Sequence, residues 1–124
     1  MVDAGSSGSE AADLKDSLDS DRVYVVETDQ SLGINERFAA GMATVEGDFV
    51  VFMKPCDVMA PDALFECARA INEYSDCDVL YTDVDAFDAD GMHFQPVFRP
   101  DFSPELLRSY NYLRDLVVVR SSLL

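Results

Sequence analysis

The chain has 124 residues, of which 48% are hydrophobic, so it is long enough to fold around one core and too short for two large domains. Its 24 acidic residues outnumber 9 basic residues and give a formal net charge of −15. A surface of this charge repels phosphate backbones and anionic lipids, which argues against a nucleic-acid partner.

The first 21 residues are rich in Ser, Gly and Asp and contain few large apolar side chains. We predict that this acidic lead-in is poorly packed, because few contacts offset the entropy lost on ordering it. One partial domain is predicted to follow over residues 22–124. It begins with the apolar segment RVYVVE, which predicts a strand near residues 22–26 that is covered on both faces of a sheet.

Helices and strands then alternate along the chain. Apolar residues at helical spacing predict a helix between residues 31 and 47, and DFVVFM predicts a second strand near 48–53. Pro61 stands where a first helical residue is typical. The apolar stripe predicted for the helix that follows it consists of Leu64, Cys67, Ala68 and Ile71.

Two further apolar segments complete the pattern, a third strand near 78–82 and a fourth in LVVVR at 116–120. Strands that alternate with helices at these intervals predict βαβ units, and hence a three-layer α/β fold with a mostly parallel sheet. The predicted core of this sheet and its helices consists of Val25, Val50, Phe52, Leu64, Ile71, Val79 and Leu80.

Cysteine content and hydropathy indicate the kind of cellular compartment in which the protein occurs. Cys56, Cys67 and Cys77 form no Cys-x-x-Cys pair, and the chain has one histidine, so a zinc site has almost no support. Reduced thiols in a cytoplasmic protein are the simplest explanation. The sequence contains no signal peptide and no membrane-spanning run. Its abrupt first and last residues suggest an excerpt from a longer parent chain.

Polar residues follow the predicted strands at three places, where parallel sheets bind their ligands. These places are the segment after Val2, the turn at residues 54–57 and the segment YTDVDAFDADG at 81–91. Asp83 and Asp85 are candidate metal or sugar ligands there. The alternative is that these aspartates form turns and cap them, as Asp commonly does.

The second half of the chain resembles the middle of a family 2 glycosyltransferase. Members typically read Tyr-Ser/Thr-Asp-Glu-Asp, then a hairpin with Gly, then Pro-Phe-Phe-Lys-Pro-Asp-Trp/Phe-Ser-Pro and Asn-Tyr. The corresponding segments here are YTDVD at 81–85, PVFRPDFSP at 96–104 and NY at 111–112. Weaker matches are VDAGSS, LGINERFAAG and GDFVVFMKPCDVMAPDAL in the first half.

The resemblance implies a Rossmann-like GT-A nucleotide-sugar-binding fold, here incomplete, and a parent that transfers a sugar from a nucleotide-diphosphate donor to a glycan or other hydroxyl acceptor. Active relatives use Mg²⁺ or Mn²⁺ to neutralise the leaving diphosphate. The positions that match the donor site, or lie near it, are Asp3, Lys54, Asp57, Asp83 and Asp85.

Three motifs that contact the donor depart from the family pattern. Where members read Asp-x-Asp-Asp, this chain has Lys54, Pro55, Cys56 and Asp57, so Asp57 is the one remaining candidate metal ligand in that turn. Lys54 cannot bind Mg²⁺, although it can contact a phosphate. The acidic pair of the first turn has become Asp3-Ala4, and the Arg-Asn pair of the family's helix has become Phe38-Ala39. We therefore expect this chain alone to be inactive and to hold no metal cofactor.

Three hypotheses follow. The chain is part of a family 2 glycosyltransferase with divergent donor contacts, or it is a catalytically degenerate domain that acts as a binding or structural module. The third is an acidic α/β binding module unrelated to transferases. Catalytic residues cannot be assigned under any of them.

Overall fold

The computed structural model describes residues 2–3, 24–26, 28–29, 31–53 and 57–124. It divides into two compact units, Met1–Glu46 and Gly47–Leu124. In the first unit, strand β1 (Val2–Asp3) pairs in parallel with β2 (Tyr24–Val25), and helix α1 spans Ile34–Met42. The helix begins after Gly33, whose N–H donates to Oε2 of Glu36 at 2.7 Å. The predicted lead-in over residues 1–21 lies almost wholly outside the described residues and stays a prediction.

The second unit contains a three-stranded antiparallel sheet. Its strands are β3 (Phe49–Phe52), β4 (Val79–Tyr81) and β7 (Val117–Arg120), and β7 lies between the other two and runs antiparallel to both. Val118 is paired with Val51 on one side and with Leu80 on the other. This central position explains why Val118 is only 2% exposed.

The predicted three-layer, mostly parallel, Rossmann-like GT-A sheet is therefore wrong. All four predicted strand segments contain strands, and β3 and β4 run in the same direction with helix α2 (Ala63–Glu73) between them in the chain. The error lies in the sheet order, because β7 separates the two strands that the βαβ rule made neighbours. A continuous apolar segment predicts a covered strand, but it does not say which way the neighbouring strand runs.

The chain between β4 and β7 forms a hairpin and a short helix. Strands β5 (Val84–Phe87) and β6 (His93–Val97) pair antiparallel, and helix α3 spans Pro104–Ser109. The hairpin turn contains Gly91, whose φ of 78° is a conformation that glycine adopts without strain. A 3₁₀ turn at Ser121–Leu123 follows β7. Within the described part of the chain, no helix is long and apolar enough to cross a membrane.

The predicted core is only partly correct. Val50, Phe52, Ile71 and Leu80 are half-buried, whereas Leu64 is 56% exposed and Val79 is 42% exposed. The side chain of Val25 is outside the described part. The buried hydrophobic side chains that the structure does describe are Cys67, Tyr112 and Val118. In α2 the less exposed face passes through Ala63, Cys67, Ala70 and Ile71, so the predicted stripe was displaced around the helix axis.

Replacing Leu64 with Ala is expected to change the free energy of unfolding by no more than about 0.5 kcal/mol, because an exposed side chain leaves no cavity when it is shortened. The midpoint and slope of urea unfolding measure this change. Val118→Ala is the matched control and should cost clearly more, since Val118 is buried. A loss of 2 kcal/mol or so for Leu64→Ala, the size typical of a buried leucine, would show that this face of α2 is covered.

Candidate functional site

Three of the five predicted nucleotide-sugar residues have described side chains, namely Asp57, Asp83 and Asp85. Lys54 lies outside the described residues, and for Asp3 the description covers only its backbone pairing in β1. Asp57 is exposed and precedes α2. The prediction that Asp3, Lys54 and Asp57 share one donor site therefore stays a prediction.

Asp83 takes part in a connected set of polar contacts. Its Oδ1 accepts a hydrogen bond from the backbone N–H of Arg99 at 2.7 Å. The guanidinium of Arg99 in turn donates from Nη2 to Oδ2 of Asp115 at 2.6 Å. The Arg99 side chain is only 7% exposed and that of Asp115 23% exposed, so this ion pair is largely removed from water. Arg99 Nε is also buried and has no hydrogen-bond partner in the described part of the chain.

Two tyrosines hold the segment that follows Arg99. The hydroxyl of Tyr81, at the end of β4, donates to the carbonyl oxygen of Pro100 at 2.7 Å. The hydroxyl of Tyr112 accepts from the backbone N–H of Ser103 at 2.8 Å. The two rings meet edge to face, with centroids 5.9 Å apart. Burial and the neighbouring Tyr112 raise the pKa of Tyr81, so its phenol keeps the proton that it donates.

Asp85 has a different partner and faces outward. Its Oδ2 lies 2.8 Å from Nδ1 of His93, across the β5–β6 hairpin. The side chain of Asp85 is 42% exposed and that of His93 is 69% exposed. The ring of Phe87 stands 6.3 Å from the imidazole, centroid to centroid. Asp85 is thus part of a polar and aromatic group on the outer face of the hairpin.

The aspartates at 83–90 do not converge on one point. Asp83 is bonded to the backbone of Arg99, Asp85 to His93, and Oδ1 of Asp88 accepts from the N–H groups of Asp90 and Met92, both at 2.9 Å. Asp88 therefore caps the hairpin turn, which is the role that the alternative interpretation gave to this cluster. Throughout the described residues, no three His, Cys, Asp or Glu side chains are grouped so that they could hold a metal ion.

Sequence reasoning missed His93, Arg99 and Asp115. His93 could have been found from the predicted hairpin, because residues that face each other across two strands lie on the same side of the sheet. Arg99 stood within the family motif, but nothing in the sequence indicated a partner 16 residues away. Asp115 occupies a φ of 82°, a left-handed conformation for which Asp and Asn are enriched among non-glycine residues.

Comparison with known proteins gives two relatives and no family model that matches the chain. Over 94 residues, 76% of its length, the chain is 45% identical to the O-antigen biosynthesis protein RfbC of Myxococcus xanthus and covers 7% of it. Over 102 residues, 82% of its length, it is 26% identical to the uncharacterized protein y4gI of Sinorhizobium fredii (strain NBRC 101917 / NGR234) and covers 11% of it. The chain thus spans a small part of the length of both relatives.

Proposed function

We propose that this chain acts in polysaccharide biosynthesis as part of a family 2 glycosyltransferase, whose parent transfers a sugar from a nucleotide-diphosphate donor to a glycan or other hydroxyl acceptor. The observation that carries the proposal is the 45% identity to a segment of the O-antigen biosynthesis protein RfbC. The family motifs quoted from residues 81–112 support the finer assignment. A cytoplasmic location, where nucleotide sugars are available, is part of the same proposal.

The contacts of the motif residues suggest what this segment contributes. Tyr81 and Asp83 come from the first motif, and they bond to Pro100 and Arg99 of the second. Tyr112 of the third motif bonds to Ser103 of the second. The first and third motifs are therefore each joined to the second by hydrogen bonds that hold its backbone. These contacts favour a supporting role for the motif over direct contact with a donor.

A second candidate function is that of a binding or structural module without catalysis. It is favoured because the carboxylates of Asp83 and Asp85 already accept hydrogen bonds within the chain. Asp57 alone offers one carboxylate where the family pattern has three. Among the described residues, no three His, Cys, Asp or Glu side chains are grouped to hold an ion, and no step of sugar transfer is derived through one.

Exchanging the matched segments tests the proposed function. The segment of RfbC that aligns with this chain is replaced by the aligned residues of this chain, and O-antigen is examined by gel electrophoresis of lipopolysaccharide. We expect a chimera that accumulates normally to retain O-antigen. A chimera carrying Tyr112→Ala is the matched negative control, because it loses a buried side chain of the same segment. Normal accumulation without O-antigen would contradict the proposal.

A further inference from the structure

The outer face of the β5–β6 hairpin carries three side chains of complementary chemistry. Phe87 is paired directly with His93 across the two strands, and Asp85 stands two residues before Phe87, so all three lie on one face. Their neighbours Val84 and Ala86, on the other face, are less exposed. This group of Asp85, Phe87 and His93, defined here as the hairpin triad, is exposed to solvent, as are Phe94 and Val97 on the other face.

An irregularity in the strand pairing lies opposite Asp85. Val84 pairs with Val97 and Ala86 with Phe94, so that Gln95 and Pro96 together oppose the single residue Asp85. Gln95 has a φ of 50°, a left-handed conformation that costs free energy for a residue with a side chain. Bulges of this kind re-aim a side chain and are frequent beside functional sites. Here the bulge lies opposite the carboxylate that contacts the imidazole.

We propose that the hairpin triad binds an uncharged sugar ring of a glycan, an inference that rests on the proposed role in polysaccharide biosynthesis. A sugar ring has an apolar C–H face and a rim of hydroxyl groups. The ring of Phe87 is 47% exposed and offers a flat apolar surface for that face. Asp85 and His93 offer polar atoms beside it for the hydroxyls.

The hydrogen bond within the triad fixes which atoms meet the ligand. A carboxylate can only accept hydrogen bonds, so Nδ1 of His93 carries the proton shared with Asp85. Nε2 of His93 remains available for a hydrogen bond to a ligand, and the second oxygen of Asp85 is an acceptor. Both atoms can bond to the hydroxyl groups of a sugar, which donate as well as accept.

The surrounding charge selects an uncharged ligand. Asp88 and Asp90 lie in the turn next to the triad, and the chain carries a formal net charge of −15. These charges repel diphosphates and acidic sugars, since like charges at short range cost free energy. The triad is therefore suited to a neutral acceptor glycan and unsuited to a nucleotide-sugar donor.

His93 is the only histidine of the chain and provides a direct probe. The imidazole signals are followed by NMR while the chain is titrated with methyl α-glycosides of glucose, galactose, mannose and rhamnose. We expect at least one glycoside to shift these signals saturably, with a dissociation constant of about 1 mM or weaker, as befits a small exposed site. Sorbitol, which has hydroxyls but no ring, should produce no saturable shift. UDP-glucose should bind no better than methyl glucoside.

Variants separate the triad from general surface effects. Phe87→Leu and Asp85→Asn should each weaken binding by about three- to tenfold. The matched controls Phe65→Leu and Asp90→Asn alter an exposed ring and an exposed carboxylate outside the triad and should leave the dissociation constant unchanged. Absence of a saturable shift with all four glycosides would overturn the proposal, as would binding that survives both triad substitutions.

The two proposals fail independently. If glycosides bind but the chimera lacks O-antigen, the sugar site is supported and the proposed function is overturned. If the chimera makes O-antigen but no glycoside shifts the imidazole signals saturably, the proposed function is supported and the sugar site is overturned.

Discussion

Replacing Asp115 with Asn is expected to lower the free energy of unfolding by about 3 kcal/mol, because it leaves the guanidinium of Arg99 buried without its counter-charge. The side chain of Arg99 is only 7% exposed, so water cannot replace the lost carboxylate. Asn is the informative substitution, since it tolerates the φ of 82° at this position and nearly preserves the side-chain volume. The effect therefore reports on the charge and not on backbone strain.

A surface pair of the same chain provides the matched control. Arg69 pairs with Glu66 on α2, and their side chains are 58% and 48% exposed. Glu66→Gln should cost no more than about 1 kcal/mol, because solvent screens an exposed ion pair. Urea unfolding of both variants measures the difference. Equal costs for Asp115→Asn and Glu66→Gln would show that the Arg99–Asp115 pair is no more shielded from water than a surface pair.

Tyr112→Ala is expected to destabilise the chain by about 3–5 kcal/mol, the range for removing a buried aromatic side chain. Tyr112 is 2% exposed, its ring packs edge to face against Tyr81, and its hydroxyl accepts from the N–H of Ser103. The subtler variant Tyr112→Phe keeps the ring and deprives Ser103 of its partner. It should cost about 1–3 kcal/mol, the penalty of an unsatisfied buried donor.

Tyr74 is the control for these substitutions, because it is 60% exposed. Tyr74→Phe should leave the free energy of unfolding, measured in urea, within about 0.5 kcal/mol of that of the unsubstituted chain. If Tyr112→Phe behaved in the same way, the hydroxyl of Tyr112 would have no part in holding the segment after Arg99.

The sequence predicted the positions of strands β3, β4 and β7 but not how they are arranged. Each apolar segment is long enough for a strand, and β3, β4 and β7 all lie within predicted segments. Their order depends on a contact between residues far apart in the chain, such as Val51 and Val118. Local periodicity contains no information on such a pairing, and the βαβ rule supplied the wrong neighbour.

The assignment of Asp83 and Asp85 to a donor site stays a prediction, and their contacts could not be read from the sequence for a related reason. Asp83 and Asp85 were identified as special because four aspartates stand close together in the segment 83–90, and both do make specific contacts. Their partners, the backbone of Arg99 and the imidazole of His93, come from residues on the far side of a hairpin turn. The assignment of Asp83 as a donor ligand depended on the family resemblance, whereas its contact in the structure is with the chain itself.

Our central proposal is that Asp83 and Asp85 bond within the chain and that this chain alone does not bind a nucleotide-sugar donor with its metal. Calorimetric titration of the chain with UDP-glucose in the presence of Mn²⁺ tests it most directly. We predict no metal-dependent heat of binding at micromolar concentrations, because Asp57 is a single carboxylate and Asp83 and Asp85 are bonded elsewhere. A metal-dependent dissociation constant in the micromolar range would contradict the claim and would favour an active donor site.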